Sequence, residues 1–264
     1  MNSDLWQFFS DQPGCQIKEG LVTLPGVMGE NFETLYLKLR TKEGRLYSDE
    51  VVKLLPEVPS THQLSKEWSI RSSSAQKLTN YIVKQDHKSP TILDIGCGNG
   101  WFANYLSQRI RVVYCGVDVN KTELEQAVRL FTRDRKVFFL HADISTAELP
   151  KRQIDFILLA SSIQYFNSLN QLIARLLPTL TSKGEIHIVD SPLYKPSEVS
   201  SARARTRTYF QEQGFEAMSN WYHHHTWQDL ASFNFEVLSK PSPRIIRIVS
   251  KSNSTPFPWI KITA

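Results

Sequence analysis

No run of apolar residues in this 264-residue chain approaches the roughly 18–20 that a membrane-spanning helix requires. The opening Asn2-Ser3-Asp4 places no basic stretch ahead of an apolar core, so no secretory signal is expected. Cysteine is scarce: Cys15, Cys97 and Cys115 form an odd set without a CxxC pair. That argues against a disulfide framework and suits a reducing compartment, so a soluble, cytoplasmic protein is expected. Internal repeats and low-complexity blocks are also missing, which removes solenoid and linker architectures. Charge of one sign is in short supply. The net charge of +5 comes from 31 Lys and Arg against 26 Asp and Glu, scattered along the chain, a weak case for a polyanionic partner. What is present is ordinary globular composition, 41% hydrophobic and 22% charged, in a chain long enough for one large domain with an appendage or for two small ones.

Two styles of sequence follow one another. Residues 1–64 are irregular, with Pro13-Gly14, Pro25-Gly26, Pro56 and Pro59 breaking candidate segments. Within them, Phe32, Leu35, Tyr36 and Leu39 predict a short amphipathic helix over 31–40, and Ser48-Asp49-Glu50 opens a second helix that Pro56 ends. A longer helix over 64–85 would turn Trp68, Ala75, Leu78, Ile82 and Val83 to the core. From Pro90 onward short apolar runs alternate with helical patterns, the signature of βαβ units and a largely parallel sheet. Strands are expected at 91–95, 112–119, 136–141, 154–160 and 185–189, then a polar segment with helical stretches, then final strands near 235–238 and 245–249. The fold class is α/β, a Rossmann-like doubly wound sheet behind a mainly helical or irregular N-terminal extension or lid.

The chemistry sits at the end of the first strand of that sheet. Leu93-Asp94-Ile95-Gly96-Cys97-Gly98-Asn99-Gly100 runs from a buried strand into a turn with glycines at alternate positions. Glycine removes the side chains that would stop a backbone bending tightly against a ligand. Turns at the carboxyl end of a parallel strand line the crevice where open α/β sheets bind ligands. Asp118, about twenty residues on, can accept hydrogen bonds from both hydroxyls of a ribose. A dinucleotide fingerprint would place a third glycine three residues after the second, and that position is Trp101. The GxGxG pattern behind Asp94 instead suits a cofactor carrying an amino acid, whose ammonium group Asp94 could receive.

With these motifs the chain resembles the class I S-adenosylmethionine-dependent methyltransferases, most nearly the small-molecule group that includes ubiquinone and menaquinone biosynthesis enzymes. Leu93–Gly100, Val117-Asp118-Val119, Ala142-Asp143-Ile144 and Asp155–Phe166 carry the resemblance, which spans roughly residues 65 to 251. It implies S-adenosylmethionine as cofactor and a seven-stranded sheet with an antiparallel last strand. The domain would run over 65–264 with a substrate-side insertion at about 193–233. It also implies that Gly96, Cys97 and Gly98 meet the methionine moiety and that Asp94 orients that end. Asp118 would bind the ribose hydroxyls, Val119 would pack on the adenine, and Asp143 would bond the adenine amino group with Ile144 beside it. Ala160 and Ser161 would line the floor near the transferred methyl.

Each residue also has a plainer reading. Asp118 and Asp143 are both compatible with helix capping, Cys97 with packing, and Ser161 and Ser162 with bonding backbone groups. Arg71, in the helix before the first strand, could pair with the methionine carboxylate, and Tyr36, Arg40 and Tyr47 could form part of a lid. An activated methyl needs no metal, and a base only for a poor nucleophile. The catalytic candidates are Tyr165, behind the fourth strand, and His223 and His224 of the triplet ending at His225. A polar loop over aromatics explains the triplet as well, and zinc is disfavoured because adjacent histidines diverge. Arg203, Arg205 and Arg207 keep nucleic acid open as a partner. The stretch Ala160–Tyr165 lacks the proline motif of base amino-methyltransferases and any glutamate pair. The expected function is methyl transfer to a small molecule, with RNA or protein acceptors and a non-catalytic cofactor-binding module as alternatives.

Overall fold

The computed structural model describes residues 4–27, 30–132, 136–241 and 255–264. The chain opens with helix α1 (Asp4–Ser10) and a hairpin of β1 (Gln16–Lys18) and β2 (Leu21–Thr23). Glu19 and Gly20 join the two strands with φ of 53° and 92°, the positive values that a two-residue hairpin turn demands. Three helices follow: α2 (Glu30–Lys42), α3 (Asp49–Leu54) and α4 (Ser65–Lys84). The alternating part then runs β3 (Thr91–Ile95), α5 (Trp101–Ser107), β4 (Val113–Asp118), α6 (Lys121–Phe131), β5 (Val137–His141), β6 (Ile154–Ala160), α7 (Leu169–Leu176) and β7 (Leu180–Val189). Helix α8 (Pro196–Gln213), β8 (Asn234–Ser239) and β9 (Trp259–Thr263) complete it.

The nine strands of the described residues form one sheet in the order β1-β2-β5-β4-β3-β6-β7-β9-β8. Strands β2, β5, β4, β3, β6 and β7 are parallel, while β9 runs antiparallel between β7 and β8. The α/β class and the antiparallel final strand are as expected, but the described residues hold nine strands rather than seven. Two of the unforeseen strands, β1 and β2, come from the segment read as irregular. Three-residue strands flanked by Gly14 and Gly20 give too short a pattern to register against turn signals. A further strand that was not expected lies at Trp259–Thr263, and the expected strand at 245–249 falls outside the described residues.

Alternate residues of one strand enter two different cores. Leu93, Cys115, Phe138 and Ile157 pack on one face, and Ile92, Tyr114, Phe139 and Phe156 on the other. Helices cover both faces, so the central strands read as continuous apolar runs. On α4, Trp68, Ala75, Leu78 and Ile82 are buried as expected, whereas Val83 is 59% exposed. Val83 follows Ile82 by one residue, and the 100° step per residue carries it off the buried stripe. Helix α8 begins at a proline and ends at Gly214 with φ 78°, the usual asymmetry of helix ends. No helix among the described residues is long and apolar enough to cross a membrane.

Candidate cofactor and acceptor site

The glycine turn leaves β3 with φ of 78° at Gly96, 53° at Gly98 and 72° at Gly100. A β-carbon on Gly96 would lie 2.5 Å from Ser162 Cβ, and one on Gly100 2.8 Å from Ala127 Cβ. Close approach, as well as backbone conformation, therefore requires glycine there. The turn is fastened to β4: the Gly96 amide donates to Val117 O at 2.8 Å, and the Gly98 amide to Asp118 Oδ2 at 2.8 Å. Asp118 Oδ1 accepts the Asn120 amide at 2.9 Å. Burial pushes the Asp118 carboxyl up, opposed by these amide bonds.

Asp94 is 2% exposed and accepts the Tyr114 hydroxyl through Oδ2. Its Oδ1 is buried and has no hydrogen-bond partner among the described residues. Burial, with no cation beside it, pushes the Asp94 carboxyl up to about 7. Glu123 on α6 reaches about 7 as well, first through burial and then through the neighbouring charge of Asp118. Asp143, just beyond β5, accepts the Ser145 amide at 2.9 Å and the Ser145 hydroxyl, both through Oδ1. Asp143 thus closes the turn after β5 rather than capping a helix, alongside any ligand role.

These groups share one cavity of about 780 Å³ over the carboxyl ends of the parallel strands. Asp94, Gly96, Cys97, Gly98, Asp118, Val119, Asp143, Ile144, Ala160, Ser161 and Arg71 all line it. In sheet order, Asp143 follows β5, Asp118 ends β4, the turn follows β3 and Ser161 follows β6, one step per strand. Cys97 is buried, and burial raises its thiol pKa, which suits packing rather than nucleophilic chemistry.

Helix α2 supplies much of the opposite wall. Phe32 and Tyr36 meet Tyr165 edge-on at 6.2 and 5.8 Å between ring centroids, and Phe32 meets Trp221 at 5.7 Å. Arg40 lies 4.7 Å over the Tyr36 ring and donates to Tyr165 Oη at 3.3 Å. Helix α2 is fastened at one side by Glu33, whose Oε1 accepts the Thr122 amide at 3.0 Å, and at the other by Lys42, which donates to Gln213 O at 2.7 Å. Arg71 does not stand alone: it donates to Glu67 Oε1 at 3.2 Å, and Arg45 grips both oxygens of Glu67 at 2.7 Å. The two guanidiniums hold the Glu67 carboxyl at about 2 in spite of burial. Trp68 donates to Tyr47 Oη at 3.0 Å and meets Trp101 edge-on, closing the wall beside the turn.

The histidine triplet splits three ways. His223 lines the cavity, its amide donating to Gln164 O at 2.7 Å. His224, a candidate base in the sequence, is turned elsewhere: it is buried, off this cavity, with Nε2 2.9 Å from Thr206 Oγ1. His225 sends Nε2 to Ile163 O at 2.8 Å and is buried. Consecutive residues in extended chain alternate sides, which separates His224 from its neighbours. Burial lowers the pKa of all three rings. Arg203, Arg205 and Arg207 lie on α8, where Arg207 pairs with Glu216 at 2.7 Å. Among the described residues no cluster of three or more His, Cys, Asp or Glu is placed to hold a metal.

Glu123 and Asp190 line the cavity without having been singled out in the sequence, and Phe32, read there only as part of a helix, lines it too. Asp190 directly follows β7, as Asp118 ends β4. An acid at a strand end is the signal by which it could have been found.

A glycine turn and two acids, at three successive strand ends of a Rossmann-like sheet, are arranged as a site for S-adenosylmethionine would be. The residues fit that cofactor. Asp94 keeps an unpartnered oxygen for the cationic end, Asp118 is held by two amides with its carboxylate on the cavity, and the turn has no side chain at Gly96 or Gly98. Residues 92–184 match the family described as a methyltransferase domain. The chain is 33% identical over 98 residues to an uncharacterized methyltransferase of Mycobacterium tuberculosis, covering 37% of this chain and 49% of that one. It is 29% identical over 119 residues to the malonyl-[acyl-carrier protein] O-methyltransferase of Priestia megaterium, covering 44% and 43%. Its fold is shared with the geranyl diphosphate C-methyltransferase of Streptomyces coelicolor, at TM-score 0.55 and 14% identity over 90% of this chain and 98% of that one. The chain spans about half the length of the curated relatives it matches. Residues 92–184 thus read as a methyltransferase domain on this Rossmann-like fold, and S-adenosylmethionine is the cofactor that such a domain takes.

Proposed function

We propose that this protein transfers the methyl group of S-adenosylmethionine to a small-molecule acceptor by direct in-line displacement. The observation that carries the reading is the aromatic wall. Phe32 and Tyr36 from α2, Tyr165 after β6, and Trp221 meet across the cavity and give it a lined interior, the form of a small-ligand pocket. One relative is named for O-methylation of malonyl-[acyl-carrier protein], an acyl group borne on a carrier, which supports an acceptor group of metabolite size. Bound cofactor supplies a methyl on positively charged sulfur, already activated toward a nucleophile.

The chain's own task is positioning and exclusion of water. In this reading Asp94 receives the ammonium end, Gly96, Cys97 and Gly98 form the floor under the methionine, and Arg71 reaches the carboxylate. Asp118 takes the ribose hydroxyls, and Val119, Asp143 and Ile144 frame the adenine. Ala160 and Ser161 stand beside the methyl, with Tyr165 and His223 on the acceptor side. Within residues 1–64, helix α2 acts as the lid while β1 and β2 extend the sheet, in a protein placed in the cytoplasm.

The test is transfer of labelled methyl from S-adenosylmethionine into a cell extract separated into small-molecule, RNA and protein fractions. Label in the small-molecule fraction is expected. Label confined to RNA or protein, or cofactor binding with no label anywhere, overturns the reading.

A further inference from the structure

The cofactor residues occupy strand ends in a row: Asp143 at β5, Asp118 at β4, the turn at β3. Adenine, ribose and methionine would follow that row, so the methyl lies over β3 and β6. The next strand in the same direction is β7, and its end is Asp190. Neighbouring strands are about 4.8 Å apart, which puts Asp190 one strand beyond the reacting group, where an acceptor must sit.

The carboxylate of Asp190 lines the cavity and is fixed in place. Ser74 donates to Oδ1 at 2.6 Å, and Thr255 to the same oxygen at 3.4 Å. Arg71 and Glu67 on α4 are the charged groups facing it, and they act in opposite senses. Its backbone is unusual too. Asp190 has φ 52° and Ser161, at the end of the adjacent β6, has φ 56°. The Ser161 hydroxyl donates to Asp190 O at 3.0 Å, and its amide to Val189 O at 3.0 Å. Two side-chain-bearing residues held in the left-handed region, bonded to each other at the mouth of one cavity, mark a place where geometry has been fixed against local preference. The other acceptor-side candidates are less suited to accept a proton. The Tyr165 hydroxyl already faces the Arg40 guanidinium, and burial lowers the pKa of the His223 ring, which comes from the segment after Trp221 rather than from a strand end.

We propose that Asp190 is the general base of the transfer, so that the acceptor presents a hydroxyl or an amine N–H to it. The inference rests on the small-acceptor reading. The acceptor's oxygen or nitrogen lone pair forms the bond to the methyl carbon. The carbon–sulfur pair stays on sulfur, which becomes a neutral thioether. The acceptor's proton passes to the Asp190 carboxylate and from there to solvent. Burial raises the carboxyl above its ordinary range, which strengthens it as a base near neutral pH.

The experiment compares wild type, Asp190→Asn and Asp190→Glu in labelled-methyl transfer to the small-molecule fraction across pH, with S-adenosylmethionine affinity measured by calorimetry in parallel. Asp190→Asn is expected to lose about 100-fold or more in rate, the low end for removing a general base, with cofactor affinity unchanged. The acidic limb of the wild-type pH profile should vanish in Asp190→Asn and move in Asp190→Glu, and the product should carry an O-methyl or N-methyl. If Asp190→Asn fails to bind cofactor, Asp190→Glu decides, since an acidic limb that does not move overturns the proposal. A product methylated at carbon or sulfur, or an Asp190→Asn rate within a few-fold of wild type, overturns it as well. Wild type that binds cofactor yet labels no small molecule sinks the small-acceptor reading, and this inference with it.

Discussion

The Gly98 amide donates to Asp118 Oδ2 at 2.8 Å, so the tip of the glycine turn is held by the carboxylate expected to grip the ribose. One side chain thus shapes two parts of the cofactor site. Asp118→Ala removes charge-assisted bonds to the ligand and also frees the turn. It should weaken S-adenosylmethionine binding by about 1–3 kcal/mol. Calorimetric titration checks this, and an affinity equal to wild type would show that Asp118 does not contact the ribose.

Asp94 and Glu123 make the unliganded protein sensitive to pH. Both carboxyls stand at about 7 in the fold, against roughly 4 when unfolded. Between those values the native state holds more protons than the unfolded state, so stability falls as pH rises from about 4 through 7. Glu123→Gln keeps shape without the charge and should flatten the slope, gaining a few °C in Tm at pH 8 and nothing at pH 5. Thermal melts at the two pH values decide it. Equal shifts at both would mean that Glu123 titrates normally.

Much of the cofactor half was legible because its signals are local. Strands buried on both faces read as apolar runs, and the candidate cofactor residues fall at their ends, where Asp94, Asp118 and Asp143 stand out. The acceptor half depends on contacts distant in sequence, Phe32 with Trp221 and Arg40 with Tyr165, which no periodicity encodes. The strands β1 and β9 were hidden for related reasons: one is three residues long, and the other follows Pro256 and Pro258. His224 was misplaced because the direction of one ring within a triplet depends on local backbone, which here sends it to Thr206.

Gly100 and Gly214 separate two costs of adding a side chain. Both have positive φ, 72° and 78°, but a β-carbon on Gly214 meets nothing within 4 Å while one on Gly100 strikes Ala127 and Phe139 at 2.8 Å. Gly214→Ala should cost about 1–2 kcal/mol, the left-handed penalty alone. Gly100→Ala should add roughly 1–3 kcal/mol of overpacking. Urea unfolding of the two variants measures the difference, and equal losses would mean that the neighbours of Gly100 yield freely.

Glu67 should give the opposite pH behaviour from Glu123. Arg45 and Arg71 hold its carboxyl at about 2, below the roughly 4.3 of an unfolded glutamate. The unfolded chain then binds the proton first as pH falls, so the contribution of Glu67 is complete above about pH 5 and disappears as pH drops toward 2. Glu67→Gln should therefore lower stability at pH 7, and the gap from wild type should narrow steadily as pH is lowered to 3. The side chains involved are 23–31% exposed, so solvent screening keeps the effect below that of a fully buried pair. Urea unfolding between pH 3 and 7 supplies the curve. A gap that stays constant across that range would show that Glu67 acts through packing, and that the two guanidiniums beside the cavity are not held by its charge.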